Sequence, residues 1–256
     1  MSKHKKIRRP LPRERKVFIA ICIVLALIVL AVAGYLIYKN FDNQAKYKTD
    51  PDIIFNQKVA GYDFNKLRQT YPDIVAWLDV PNTNIALPIV QHPDNDFYYL
   101  NHNAQSEYDV SGAAYMQLCN KKDMSDPVTV VYGHNMIDNG MFSTAHFFEN
   151  SDFFKDNEKF YVYTPGHKLT YTTVSAYIYD DRHIINSNNG FTDTNVRMKY
   201  FNEVCNPTSQ VKNVRPGISL KAEDKLFQLS TCMSDPNLAN QRYIVSGVLT
   251  NDEPTN

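Results

Sequence analysis

Two kinds of hydrophobic pattern occupy the 256-residue chain. Near the N terminus, residues 17–38 form one apolar run without a charged side chain. At about 1.5 Å per residue, a helix over this run is long enough to cross a hydrocarbon core of roughly 30 Å. After it, apolar residues come in short groups separated by polar turns. The first pattern predicts one transmembrane helix, and the second predicts a domain of many short strands.

The short groups are rich in β-branched and aromatic residues, which favour strands. The predicted strands cover residues 85–90, 112–117, 127–132, 159–163, 168–179, 226–229 and 242–249. Pro88 marks the first of these as an edge or interrupted strand, because proline cannot donate to a ladder.

Helices are predicted over residues 65–71, which Pro72 ends, and over residues 192–205, with Thr192 or Asp193 as the N-cap. The phenylalanine-rich stretch 141–154 predicts a short helical segment that packs on the core. Together these elements predict a mainly β fold, a mostly antiparallel barrel or sandwich with peripheral helices.

Charge around the apolar run predicts the topology of the chain. Residues 1–16 carry eight Lys or Arg and one Glu, which predicts a cytoplasmic tail. The run 17–38 then acts as an uncleaved signal-anchor, residues 39–59 form a polar stalk, and residues 60–252 form an extracellular domain. This predicts a single-pass protein of the cell membrane. A cleavable signal peptide is the alternative, which the Ala-Val-Ala sequence at residues 31–33 leaves open.

The formal net charge of zero conceals an acidic domain. Residues 40–256 contain 18 Lys and Arg and 26 Asp and Glu, a net charge of −8. A nucleic-acid-binding protein needs a basic surface to neutralise phosphates, so the composition argues against a nucleic-acid partner.

The cysteine pattern does not indicate a metal site. No C-x-x-C or H-E-x-x-H motif occurs, and neither does a glycine-rich nucleotide-binding loop, so we expect no metal and no cofactor. Three cysteines follow the apolar run, and an odd number leaves at least one thiol free or paired between molecules. A disulfide between Cys119 and Cys205 is one open possibility.

Three chemically active residues stand at predicted strand ends. Cys232 ends one strand, Arg242 begins the next, and His134 follows the strand 127–132 after Gly133. A nearby cation favours the thiolate form of cysteine and can stabilise an oxyanion, while histidine can transfer protons. The structural alternative is a buried cysteine and an arginine paired with a carboxylate. With His134 added, the pattern predicts thiol-dependent acyl transfer.

The motifs that carry this chemistry resemble those of the sortases, the membrane-anchored cysteine transpeptidases of Gram-positive bacteria. The matching segments are LSTC at 229–232, Arg242, VVYGHNM at 130–136 and the signal-anchor. Residues 74–91, 94–100 and 132–142 and the helical insertion at about 192–206 are similar to class B members in particular. Residues 112–123 depart from that class, in which an acidic residue is usual near Gln117.

This resemblance implies an eight-stranded sortase-type β-barrel and a reaction without a cofactor. Cys232 would attack the threonine carbonyl of an LPXTG- or NPQTN-like sorting motif on a surface protein and form a thioacyl-enzyme. The acceptor would be an amine of a peptidoglycan precursor, or alternatively a pilin lysine. His134 would transfer protons and Arg242 would stabilise the oxyanion.

Further residues are candidates for binding the sorting peptide. Ser230 and Thr231 lie beside the nucleophile, and the resemblance adds Asn95 and Leu100. Loop or surface positions are expected for the other histidines after the anchor, His92, His102, His146, His167 and His183.

Two other functions are alternatives to the transpeptidase reaction. Papain-like cysteine hydrolases place the cysteine before the histidine, the reverse of the order here, and no caspase-type motif occurs. A non-catalytic β-domain that binds a surface ligand is the second alternative, and it requires the three strand-end residues to coincide by chance.

Overall fold

The computed structural model describes residues 12–47, 55–56, 61–137 and 139–255. The chain divides into two compact units, with the boundary between residues 48 and 49. Most of the predicted tail and part of the predicted stalk lie outside the described residues.

The described residues of the first unit form one helix, α1 (Arg13–Tyr47). Its segment Arg13–Tyr35 is long and apolar enough to span a membrane, although signal sequences meet the same criteria. The helix also continues through residues 40–47, which were predicted as stalk. No Pro or Gly interrupts those polar residues, and extending an existing helix costs far less than starting one.

All the strands in the described part of the chain lie in the second unit. A separate pair joins β1 (Phe55–Asn56) to β2 (Gly61–Tyr62). The main sheet contains β3 (Ile74–Asp79), β4 (Ala86–Val90), β5 (Ala114–Met116), β6 (Val128–Tyr132), β7 (Lys159–Thr164), β8 (His167–Asp180), β9 (Lys212–Val214), β10 (Leu226–Cys232) and β11 (Gln241–Pro254).

Eight of these strands close into a barrel with helices around it, which confirms the predicted fold. The order is β11-β10-β6-β5-β4-β3-β7-β8, and β8 pairs with β11 to complete the ring. Strand β9 extends the sheet beyond β8. The pairs β4–β5 and β6–β10 are parallel, and the others are antiparallel. Parallel neighbours need long crossover connections, and the chain between β6 and β10 provides one.

Pro88 is accommodated because β4 is only partly paired on one side. Strand β3 pairs with β4 along its length, whereas β5 pairs only with Ile89 and Val90. Pro88 therefore lies where β4 has a single neighbour, as expected for an interrupted strand.

Aromatic side chains fill the barrel. Phe227 on β10 contacts Phe160 on β7 and Tyr171 on β8, with ring centroids 5.8 and 5.2 Å apart. Because β10 is not a hydrogen-bonded neighbour of β7 or β8, these contacts cross the interior. A Cβ atom at Gly247 would lie 2.4 Å from the Phe160 ring, so only glycine fits opposite it.

Short helices cover the outside of the barrel. They are α2 (Phe64–Thr70), α3 (Ser151–Asp156), α4 (Ile184–Ser187) and α5 (Thr194–Cys205), with 3-10 turns at Tyr98–Leu100, Ser143–Glu149, Asn189–Phe191 and Pro236–Leu238. Asp193, one of the two predicted caps, accepts from two backbone N–H groups at the start of α5. The hydroxyl of Tyr200 on α5 donates to Gln228 on β10 at 2.8 Å, so α5 covers the outer face of that strand. This is the predicted insertion, between β8 and β9.

The possible disulfide between Cys119 and Cys205 is not formed in this structure. Cys119 and Cys205 are both free thiols, as are Cys22 and Cys232. Burial raises the pKa of both the Cys119 and the Cys205 thiol.

Candidate active site

Strand pairing brings the three predicted catalytic residues to one edge of the barrel. Cys232 and Arg242 are directly opposite each other on the antiparallel strands β10 and β11. On the other side, parallel β6 pairs Tyr132 with Ser230, and the Gly133 N–H donates to the Ser230 carbonyl at 3.1 Å. Neighbouring strands are about 4.8 Å apart, so the segment that carries His134 and the head of β11 flank the thiol.

The environments of Cys232 and Arg242 differ from the structural alternative. Cys232 is exposed rather than buried. Arg242 makes no ion pair with a carboxylate among the described residues; instead its Nη1 donates to the Ala239 carbonyl at 3.1 Å and to the Gln241 carbonyl at 2.9 Å. One nitrogen of the guanidinium therefore anchors the group, and Nε and Nη2 have no protein acceptor in the described part of the chain. They can donate to an oxyanion.

A backbone carbonyl orients His134. Its Nε2 lies 2.8 Å from the Leu100 carbonyl oxygen. A carbonyl only accepts, so Nε2 carries a proton, and Nδ1 is the nitrogen that gains or loses one. Gly112 packs against this contact: a Cβ there would lie 2.9 Å from the Leu100 oxygen and 3.2 Å from Cδ2 of His134.

Gly133 is required by packing rather than by an unusual backbone conformation. A Cβ at this position would lie 2.7 Å from the ring of Phe142, which is fully buried. The glycine before His134 thus lets the chain that follows β6 pass directly against the Phe142 ring.

A cavity of about 270 Å³ opens at this edge. Cys232, His134 and Arg242 all border it, together with Ser230, Tyr115, Tyr132, Gln117 and the 179–184 segment. The Tyr115 and Tyr132 rings have centroids 5.6 Å apart. Burial raises the pKa of both phenols, and the Asp96 carboxylate is the next largest cause at Tyr115. Both therefore remain protonated at neutral pH and can donate hydrogen bonds into the cavity.

The four predicted peptide-binding residues have different positions. Ser230 is buried at the cavity, and Leu100 borders it with its side chain partly exposed. Thr231 also borders it, but alternate strand residues face opposite sides, so its side chain lies on the face opposite the thiol. Asn95 is exposed outside the cavity, where its side-chain oxygen accepts from the Phe97 N–H at 3.0 Å.

Sequence reasoning missed two residues that contact the backbone of Cys232. Asn135 Nδ2 and His146 Nε2 each lie 3.0 Å from the Cys232 carbonyl oxygen. His146, expected at a loop or surface position, lies in a 3-10 turn with its side chain 15% exposed. Asn135 follows His134 in a motif already noted, whereas no local pattern distinguishes His146 from the other histidines.

Comparisons with known proteins identify the family. The sequence model of the sortase domain matches residues 78–250. Sortase B of Listeria monocytogenes serovar 1/2a is 28% identical over 244 residues, which cover 88% of this chain and 95% of the relative.

Solved structures give the same result. The X-ray structure of Clostridium perfringens sortase B has a TM-score of 0.65 and 32% identity, covering 74% of this chain and all of that one. A Streptococcus pyogenes class B sortase involved in pilus biogenesis has a TM-score of 0.62 and 27% identity, covering 73% of this chain and 98% of that one. Since the domain match runs from the end of β3 into β11 and so covers most of the barrel, and the fold is shared, the chain belongs to the sortase family of cysteine transpeptidases and is class B-like.

Proposed function

We propose that this protein is a membrane-anchored sortase that cleaves a C-terminal sorting motif after threonine and transfers the acyl group to an amine of a cell-wall precursor. The observation that carries the proposal is the placement of Cys232 between His134 and Arg242 at the mouth of one cavity. Membership of the family supports the transpeptidase reaction, and the three residues supply the groups that it needs.

The first half-reaction breaks the peptide bond. The Cys232 thiolate attacks the threonine carbonyl carbon, and the resulting oxyanion accepts from the free Nε and Nη2 groups of Arg242. As the C–N bond breaks, imidazolium His134 gives the proton on Nδ1 to the departing amine. The Leu100 carbonyl holds the Nε2–H throughout, so proton transfer does not require the ring to turn.

The second half-reaction uses the same groups in reverse. The acceptor amine attacks the thioester carbon, neutral His134 takes the amine proton on Nδ1, and Cys232 leaves as thiolate. Water can take the place of the amine, so hydrolysis is the expected side reaction. No carboxylate takes part in either step.

The acceptor is the cell-wall precursor in this proposal, with a pilin lysine as the alternative. That alternative is favoured by one comparison, because the Streptococcus pyogenes relative is described as involved in pilus biogenesis. Either acceptor supplies a primary amine to the same thioester, so the catalytic groups do not distinguish them.

We also propose that residues 17–38 anchor the enzyme, with residues 1–16 in the cytoplasm and residues 60–252 outside. Support comes from α1, whose apolar segment has the length and composition of a membrane span. A membrane-impermeant thiol reagent applied to intact cells tests this, since Cys119 and Cys232 are exposed. Labelling of both is expected, and the mass of the purified protein then distinguishes an anchor from a cleaved signal.

Peptide cleavage tests the proposed reaction. The full chain in detergent is incubated with quenched peptides that carry LPXTG-type or NPQTN-type motifs, with an amine acceptor or a lysine-bearing acceptor peptide, and mass spectrometry identifies the products. We expect cleavage after threonine, amide products with the acceptor, and complete loss in Cys232→Ala. Failure to cleave either peptide, with Cys232 also inert to a thiol probe, would refute the proposal.

A further inference from the structure

The backbone carbonyl of Cys232 is held by two side chains that the proposed chemistry does not use. His146 Nε2 and Asn135 Nδ2 each lie 3.0 Å from this oxygen. Asn135 follows β6, whereas His146 belongs to the 3-10 turn Ser143–Glu149. Strand β10 ends at Cys232, so this carbonyl belongs to the last peptide unit before the chain turns towards β11.

Two acceptors face the ring nitrogens of His146. Nδ1 lies 2.6 Å from a Glu149 carboxylate oxygen, and Nε2 faces the Cys232 carbonyl. Both partners are acceptors, so each contact is a hydrogen bond when the ring nitrogen that faces it carries a proton. Asn135 Nδ2 lies 3.0 Å from the same Cys232 carbonyl oxygen, 2.9 Å from Ser234 Oγ and 3.2 Å from His146 Nε2. The ring donates to Glu149 and to the Cys232 carbonyl at the same time only when both of its nitrogens are protonated.

Packing fixes the ring in this orientation. The His146 ring stacks on Tyr243, with centroids 4.8 Å apart and planes 22° apart. Tyr243 follows Arg242 on β11 and pairs with Thr231 on β10. The His146 ring thus contacts both strands that carry the proposed nucleophile and oxyanion donor, from a position that does not border the cavity.

We propose that His146, charged by Glu149 and assisted by Asn135, is a positioning residue for the nucleophile. Its charge-assisted hydrogen bond fixes the Cys232 peptide unit and thereby the direction of the thiol relative to His134. The inference rests on the proposed role of Cys232 as the nucleophile. A displacement of about 1 Å at a reacting atom can cost on the order of 100-fold in rate, so losing this bond should lower kcat and leave substrate binding intact.

Two substitutions of His146 test the effect of its hydrogen bond separately from the effect of its ring stacking. His146→Phe keeps an aromatic ring for stacking on Tyr243 and removes the donor, whereas His146→Gln keeps an N–H donor near the position of Nε2. His167→Phe is the matched control, because His167 also pairs with a carboxylate, at 2.7 Å from Asp252. His167 begins β8, whereas Arg242 pairs with Tyr179 at the other end of that strand.

The readouts are kcat and KM for peptide cleavage by the full chain, the rate of Cys232 alkylation by iodoacetamide, and Tm. We expect His146→Phe to lose about 10- to 100-fold in kcat with KM within about twofold, His146→Gln to recover most of that loss, and His167→Phe to match the parent. In the parent, ¹⁵N chemical shifts of both His146 ring nitrogens should lie in the protonated range.

Three results would overturn the inference: equal losses in the two His146 variants, a loss in His146→Phe no larger than in His167→Phe, or a neutral ring by ¹⁵N shifts. If His146→Phe does not fold, Glu149→Gln takes its place, since it keeps an acceptor for Nδ1 and removes the charge that holds the second proton. A parent enzyme inactive on every peptide would defeat the proposed function separately. In that case the rates of Cys232 alkylation in the parent and in His146→Phe test the positioning role. An unchanged rate in His146→Phe would contradict it.

Discussion

Gly112→Ala should lower peptide cleavage on the order of 100-fold by displacing the carbonyl that orients His134. Gly112 has φ of +61°, and a Cβ there would lie 2.5 Å from the Tyr99 carbonyl oxygen and 2.9 Å from that of Leu100. An ordinary contact begins at 3.4 Å, so the Tyr99 oxygen would have to retreat by about 0.9 Å. The two peptide units are adjacent, and the Leu100 oxygen is the one that orients His134.

The magnitude follows from two separate costs. A left-handed conformation costs an alanine about 1–2 kcal/mol. Gly190→Ala carries only that cost, because its φ is +63° and its Cβ would meet nothing within 4 Å. Gly112→Ala adds the backbone displacement, so its free energy of unfolding should fall further than that of Gly190→Ala. Since a shift of about 1 Å can cost on the order of 100-fold in rate, a similar loss in kcat/KM is expected for Gly112→Ala alone.

The assay measures peptide cleavage and thermal unfolding of the parent and both variants at a temperature where all three are folded. Gly190→Ala should retain parental kcat/KM with a lower Tm. If folded Gly112→Ala cleaves peptide within about threefold of Gly190→Ala, the link from Gly112 through Leu100 to His134 does not set the position of the histidine, and the reasoning is refuted.

Three further outcomes are expected. Arg242→Lys should lower kcat on the order of 10²- to 10³-fold without changing Tm. The reason is that an ammonium cannot donate to two backbone carbonyls and still present a planar pair of donors to the oxyanion. Near-parental activity would contradict the role of Arg242 as the oxyanion donor. Burial raises the pKa of the Asp79 carboxyl, so protonation favours the folded state and stability is lost as pH rises through that pKa. Asp79→Asn should therefore raise Tm at neutral pH, with the gain vanishing below about pH 3.9; a gain that persists in acid would show another cause. Because Cys119 and Cys205 are free, dithiothreitol should leave Tm unchanged in calorimetry, and a lower Tm would reveal a disulfide.

The sequence determined the elements whose signals are local. The apolar groups at 127–132 and 242–249 became β6 and β11, and the predicted helix 192–205 begins beside its cap Asp193. The strand ends at Cys232 and Arg242 were also readable, because two strands joined by a short polar turn tend to pair as antiparallel neighbours. Family resemblance then supplied the closure into a barrel, which periodicity alone left open between barrel and sandwich.

Tertiary structure decided the contacts between residues far apart in sequence. His134 is oriented by a carbonyl 34 residues earlier, and the Cys232 carbonyl is held by a histidine 86 residues before it. The parallel register that places Gly133 beside Ser230 depends on a crossover that contains three strands and three α-helices. Strand and helix patterns report which side of an element is apolar. They carry no information on which backbone oxygen lies within 3 Å of a given ring, because that distance depends on how the whole barrel closes.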